Sequence, residues 1–157
     1  MQARDGDAAA PVRIRPAGDA DASALAALAG QLGYATDATG IPGRLRAMRS
    51  GDRGEVLVAE QYAVVVGWIA LSIPVTLTHD DQAEIVRLIV DVESRSRGIG
   101  AALVGAAEQW SRDRGGALLR LRSNVLREYA HRFYHRERYL RLKTQLVFGK
   151  TLVAPKR

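Results

Sequence analysis

Two glycines and two arginines stand together in "RSRGIG", Arg95 to Gly100, between an apolar run ending at Val90 and a helical pattern beginning near Ala101. A glycine-rich turn between strand and helix leaves backbone N–H groups unshielded. At a helix N-terminus these groups point outward, with the positive end of the helix dipole behind them. Arg95 and Arg97 add full charges, so the junction reads as a cradle for a pyrophosphate or, more plainly, as a tight strand-to-helix turn. Two familiar phosphate loops do not fit it. The chain has no GxxxxGK[ST], and Leu103 stands where GxGxxG has its third glycine.

Glu84 is a second point of chemistry, a carboxylate inside the apolar run "AEIVRLIVDV". By strict alternation it shares a face with Val86, Leu88 and Val90, and a carboxylate on an otherwise apolar face requires a partner or a task. His131 and His135 have the spacing of zinc ligands on a helix, but Arg132 stands where HExxH has its glutamate. No metal site is expected. A Ser-His-Asp hydrolase is set aside because the chain has no GxSxG elbow.

These residues need elements to hold them. "VRIRP" alternates as a short first strand, and a helix follows with Asp19 and Asp21 as N-cap candidates and Leu25, Leu28 and Leu32 at helical spacing. A short helix from about Pro42 carries Leu45 and Met48. "EVLVAE" and "AVVVGWIALSI" predict an antiparallel hairpin with a bulge near Gly67, and "AEIVRLIVDV" predicts a buried central strand. Ile99, Leu103, Ala106 and Trp110 predict an amphipathic helix closed by Gly115 and Gly116. Leu119, Leu121 and Ser123 alternate as a strand, Leu126, Ala130 and Phe133 line one stripe of a further helix, and "QLVFGKTLV" reads as a terminal strand. The class is α+β (mixed α/β). A tail over 1–11, one domain over 12–153 and a tail over 154–157 are expected.

The 157 residues suffice for one core without staples, and with 47% hydrophobic and 25% charged residues the composition is that of a globular domain. Cysteine is absent, which excludes disulfides, thiolate nucleophiles and Cys-based zinc sites. No apolar run is long enough for a membrane span and no leader is readable, so a cytoplasmic location is the default expectation. The net charge of +6 is uneven: residues 1–60 hold 7 Lys/Arg against 8 Asp/Glu, leaving 16 against 9 in the rest. Such a surplus suits an anionic partner, whether nucleic acid, a membrane surface or a phosphorylated cofactor.

The stretch "AEIVRLIVDVESRSRGIGAALVGAAEQW" resembles the acetyl-coenzyme A segment of the GNAT superfamily of N-acetyltransferases. Arg95, Gly98 and Gly100 fill its [Q/R]-x-x-G-x-[G/A] signature. Downstream, Asn124, Ala130, His131, Phe133, Tyr134 and Tyr139 resemble the next block of the same family, with Arg138 where a glycine is usual. The resemblance implies a bent mixed sheet of about six to seven strands, flanked by helices on both faces, and direct transfer of an acetyl group from acetyl-CoA to a primary amine. It implies Glu84 as general base, directly or through water, and Tyr134 as general acid. Cofactor contacts would come from Val90, Asp91, Val92, Arg95, Ser96, Arg97, Gly98, Ile99, Gly100 and Ala101, with Asn124 bonding the cofactor or the strand end. A backbone N–H between Val90 and Val92 would serve the thioester oxygen.

The acceptor amine is not readable, although Asp80, Asp81 and Glu84 could favour a cation against the net charge. A homodimer is in keeping with the family. Two readings compete. Residues 120–143, with eight Lys/Arg against two Glu and interleaved aromatics, could bind nucleic acid, and a cradle without turnover would make an acyl-CoA sensor.

Overall fold

The computed structural model describes residues 10–78 and 81–154. Asp80 and most of the N-terminal tail lie outside the described residues. The elements are β1 (Arg13–Pro16), α1 (Ala22–Gln31), α2 (Ile41–Arg49), β2 (Gly54–Gln61), β3 (Val64–Ser72), β4 (Ala83–Val90), α3 (Ile99–Arg112), β5 (Leu119–Leu121) and α4 (Glu128–Arg136). The five strands form one sheet in sequence order, antiparallel until β5, which joins β4 in parallel. A parallel neighbour needs a crossover, and α3 supplies it.

Strand alternation divides the core between the two faces of the sheet. Val56, Val58 and Ala70 pack with Leu25 of α1 and Ile41 and Leu45 of α2. Ile89 packs with Leu28 and Ala29 of α1. On the opposite face α3 comes so close that a Cβ on Gly67 would lie 2.9 Å from the Ile89 carbonyl oxygen and 3.2 Å from Leu103. Glycine is required there by proximity. The stripe of α3 sits slightly off the expected one: Val104 and Ala107 are fully buried, while Ala106 is only half-buried.

Two bulges bend the sheet. One leaves Val66 unopposed on β2 beside Gly67, where the sequence places an irregularity. The other leaves Val86 unopposed between Arg87, which faces Ala70, and Ile85, which faces Leu71. One extra residue reverses the inside-outside phase. Glu84 therefore shares its face with Arg87 and Ile89, and not with Val86, Leu88 and Val90 as uninterrupted alternation predicts.

Asp21 also differs from expectation. Neither it nor any other side chain caps α1. Its carboxylate instead accepts the Gly18 N–H at 2.7 Å and two N–H groups of Arg15 at 2.8 and 2.9 Å, and Arg15 also reaches Glu60 at 2.8 Å. The Arg15 guanidinium and the Gly18 amide hold Asp21 below the ordinary carboxylate pKa. This tie fixes β1 to β2 and to the start of α1.

The chain divides into two compact units between Arg122 and Ser123. In the second, α4 is one residue type short of its predicted stripe: Ala130 is buried, but Leu126 lies before the helix and is exposed. Among the described residues the sheet has five strands rather than six or seven, and residues 145–153 do not form the expected terminal strand. Strand propensity describes a fit to a neighbouring ladder, and among the described residues no strand pairs with this segment.

Candidate active site

The cradle is built as its residue types require. After β4, Asp91 opens a short turn by accepting the Glu93 N–H, and the chain reaches α3 through two left-handed residues, Ser96 at φ 61° and Gly98 at φ 78°. Gly98 is the N-cap of α3, its carbonyl accepts the Ala102 N–H at 3.0 Å, and no side chain caps the helix. The first N–H groups of α3 thus keep their donor capacity for a ligand. Arg95, Ser96, Arg97 and Gly98 are all exposed, and Arg95 folds back until its Nε lies 3.4 Å from the Val90 carbonyl oxygen. These residues fit the phosphates of a coenzyme A.

The strand end beside the cradle is open. β5 pairs with β4 only over Ala83–Ile85, so among the described residues no strand lies against residues 86–90 on that side. The three candidate amides there have different fates. Asp91 N–H donates to the Val66 carbonyl at 2.8 Å, and Val92 N–H donates to the Gln31 side chain at 3.0 Å. Successive N–H groups of a strand point to opposite sides. Since Asp91 points toward β3, Val90 N–H points toward the open side.

Gln31 is a residue the sequence did not single out. Its Nε2 donates to Asp91 Oδ1 at 3.0 Å while its Oε1 accepts from Val92 N–H, so the last turn of α1 grips the segment leading to the cradle. Three residues on, the Tyr34 ring lies 4.0 Å beneath the Arg87 guanidinium. A polar residue ending an amphipathic helix carries no signal of such a contact.

Glu84 is nine-tenths buried and is met by two arginines of the same face. Arg120 places Nε and Nη2 each 2.8 Å from Oε1, and Arg122 stands 3.3 Å from Oε1 and 3.4 Å from Oε2. The parallel register sets Arg120 directly beside Glu84. Oε1 is committed to Arg120, whereas among the described residues Oε2 has only the long contact from the mostly exposed Arg122.

In the second unit, Asn124 does local work. Its side-chain oxygen accepts the Leu126 N–H at 2.9 Å, its carbonyl accepts the Arg127 N–H at 3.0 Å, and His131 Nε2 lies 2.9 Å from that same carbonyl. Tyr134 stands edge-on to Phe133 at 5.0 Å and to Tyr139 at 5.7 Å. Burial pushes its phenol above the usual pKa of about 10, with Arg127 opposing. The hydroxyl is therefore a proton donor at neutral pH.

Arg138 answers a question that the sequence raises. It adopts φ 67° one residue past the helix cap, Tyr139 N–H donates to the Tyr134 carbonyl at 2.9 Å and Arg138 N–H to the His135 carbonyl at 3.0 Å. This is the Schellman closure that a glycine normally serves. The helix ends in the usual way with an unusual residue.

Among the described residues no group of three or more His, Cys, Asp or Glu could hold a metal ion, and no helix is long and apolar enough to cross a membrane.

Comparison with known proteins bears on the family and the fold. The chain is 41% identical over 76 residues to the aminoalkylphosphonate N-acetyltransferase of Salmonella typhimurium, a match covering 48% of this chain and 49% of that enzyme. The chain thus matches about half the length of this relative. The fold superposes on a Bacillus halodurans protein described as a transcriptional regulator with a TM-score of 0.77 at 22% identity, covering 89% of this chain and 100% of that one. It also superposes on AAC(6')-Iy in complex with the bisubstrate analogue CoA-S-monomethyl-acetylneamine, with a TM-score of 0.78 at 14% identity over 90% of this chain and 99% of that one. The acetyltransferase (GNAT) family profile matches residues 28–138, which take in the cradle, β4 and α4, and the chain belongs to that family.

Proposed function

We propose that the protein transfers the acetyl group of acetyl-CoA directly to a primary amine of a small molecule. The uncapped glycine start of α3, flanked by exposed Arg95 and Arg97, carries this reading. Relatives named for aminoalkylphosphonates and for aminoglycoside antibiotics support a small amine as acceptor. Residues Ser96 to Ala101 would hold the pyrophosphate through backbone N–H groups, with Arg95 and Arg97 supplying charge. The open edge of residues 86–90 suits an extended chain bearing amides, which would add to β4 much as a strand does.

Bound acetyl-CoA supplies an activated thioester. The chain supplies the rest. Val90 N–H, turned to the open side, is the donor for the carbonyl oxygen as negative charge develops there. An alkyl ammonium, ordinarily of pKa about 10.4, must lose a proton before it attacks. Glu84 has one oxygen held by Arg120, so Oε2 is the base that receives the ammonium's proton, passed to it through ordered water. Tyr134 retains its proton at neutral pH and gives it toward the departing sulfur.

Isothermal titration tests the cradle first. Acetyl-CoA should bind, 3'-dephospho-CoA should bind more weakly, and Gly100→Pro should lower affinity at least tenfold. That substitution removes an N–H in the first turn of α3, where no intrahelical bond is lost. Unchanged affinity in a folded variant defeats the cradle.

A further inference from the structure

The stretch "LRLKTQLVFGKTLV", residues 140–153, follows the closing turn of α4. All seven of its leucine, valine and phenylalanine side chains are 66–93% exposed. Its backbone is equally unmet. Among the described residues none of 140–153 makes a hydrogen bond, an ion pair or a ring contact. At about 100 Å² of apolar surface for each large side chain, the stretch presents roughly 700 Å², more than a monomer commonly leaves bare. Both kinds of group need the same remedy. A neighbouring strand gives the N–H and C=O groups their bonds and covers the side chains at once.

We infer that this stretch is the contact between two copies of the chain, residues 143–153 of each pairing as antiparallel strands about a twofold axis at Phe148. The area fits. Two copies together bring roughly 1,400 Å² of apolar surface, within the about 1,200–2,000 Å² of specific, stable interfaces. The charges fit as well. This register sets Lys150 opposite the partner's Leu146 and Lys143 opposite the partner's Val153, so these cations do not face one another. Phe148 lies beside the partner's Phe148, an aromatic pair at the middle of the ladder. Other occupants answer only half of the need. A lipid surface would cover the side chains and leave the backbone groups without partners. A nucleic acid would meet Arg141, Lys143 and Lys150 and leave the apolar surface bare.

Light scattering of the full chain as it elutes from a sizing column tests the contact, and twice the monomer mass is expected at micromolar concentration. The double variant Leu146→Asp, Phe148→Asp should weaken association at least tenfold. Both side chains are exposed within the chain, so each copy should still unfold cooperatively on heating. Val75→Asp, at an exposed apolar position outside the stretch, should leave the mass unchanged. The chain has no cysteine, so Phe148→Cys carries a single thiol. Directly opposed residues of an antiparallel pair lie about 4.5–5.5 Å apart at Cα, within disulfide reach. A mild oxidant should therefore link two Phe148→Cys chains much faster than two Val75→Cys chains. A wild type that elutes as a monomer, a dimer that withstands the paired aspartates, or equal cross-linking of the two cysteine variants overturns the proposal.

Discussion

Arg138 holds a left-handed conformation that costs an L-residue roughly 1 kcal/mol and a glycine almost nothing. Arg138→Gly should therefore stabilise the closure of α4 by about 0.5–1 kcal/mol, read as a higher denaturant midpoint at constant m-value. The identity of this position was legible in the sequence as a departure from the family pattern. Its conformation was not, because only the paired bonds from Tyr139 and Arg138 back to the last turn reveal that the turn persists without glycine. Tyr134 is proposed as the acid from its neighbours in "AHRFY", and the phenol held above its usual pKa by burial is what the structure adds. Tyr134→Phe should lower kcat about 10²-fold or more with the acetyl-CoA affinity intact. Because the folded phenol keeps its proton past pH 10, the wild-type rate should show no loss assignable to this group below that pH. A Phe variant with the wild-type rate, or an alkaline limb well below pH 10 that disappears in the variant, would remove Tyr134 as the acid.

At the scale of elements, β4 shows why patterns need a partner strand to be read. Its eight residues were plain as a strand, but the expected buried central strand is instead next to the edge and buried only at Ala83, Glu84, Ile85 and Ile89; no composition signal marks Val86 as the unopposed residue, and that residue decides which face Glu84 joins. The cradle was legible because glycine and arginine report backbone exposure and charge directly. Gln31 was not, since a side-chain amide becomes informative only when two partners some 60 residues away meet both its ends at 3.0 Å. That grip gives a prediction for the element. Gln31→Glu keeps an acceptor for Val92 N–H but sets a carboxylate against Asp91, so acetyl-CoA affinity should fall about tenfold. Adding Asp91→Asn restores a donor–acceptor pair and should recover most of the affinity. If both variants bind acetyl-CoA like the wild type, the grip has no part in shaping the cradle.

For the molecule as a whole, the charge distribution was the most transferable reading. Five of the arginines after residue 60 fall in three places: two exposed on the turn before α3, a pair against Glu84, and one stacked on Tyr34. The element order from β1 to α4 was also legible, because helical and alternating periods recur with glycine at the joins. The last strand was misread for a physical reason, since Val147 and Phe148 satisfy any local criterion for a strand while among the described residues no strand pairs with them.

Leu146, Val147 and Phe148 are 80%, 93% and 88% exposed, and three adjacent large apolar residues in a β-favouring stretch are a seed for stacking of identical segments from different molecules. Gly149 and Lys150 follow at once and act as gatekeepers, one denying the stretch a packed side chain and the other setting like charges above one another in any stack. Colloidal behaviour should accordingly depend on salt through Lys150. High ionic strength screens that repulsion and exposes the apolar run, so low salt and moderate protein concentration favour a clear solution.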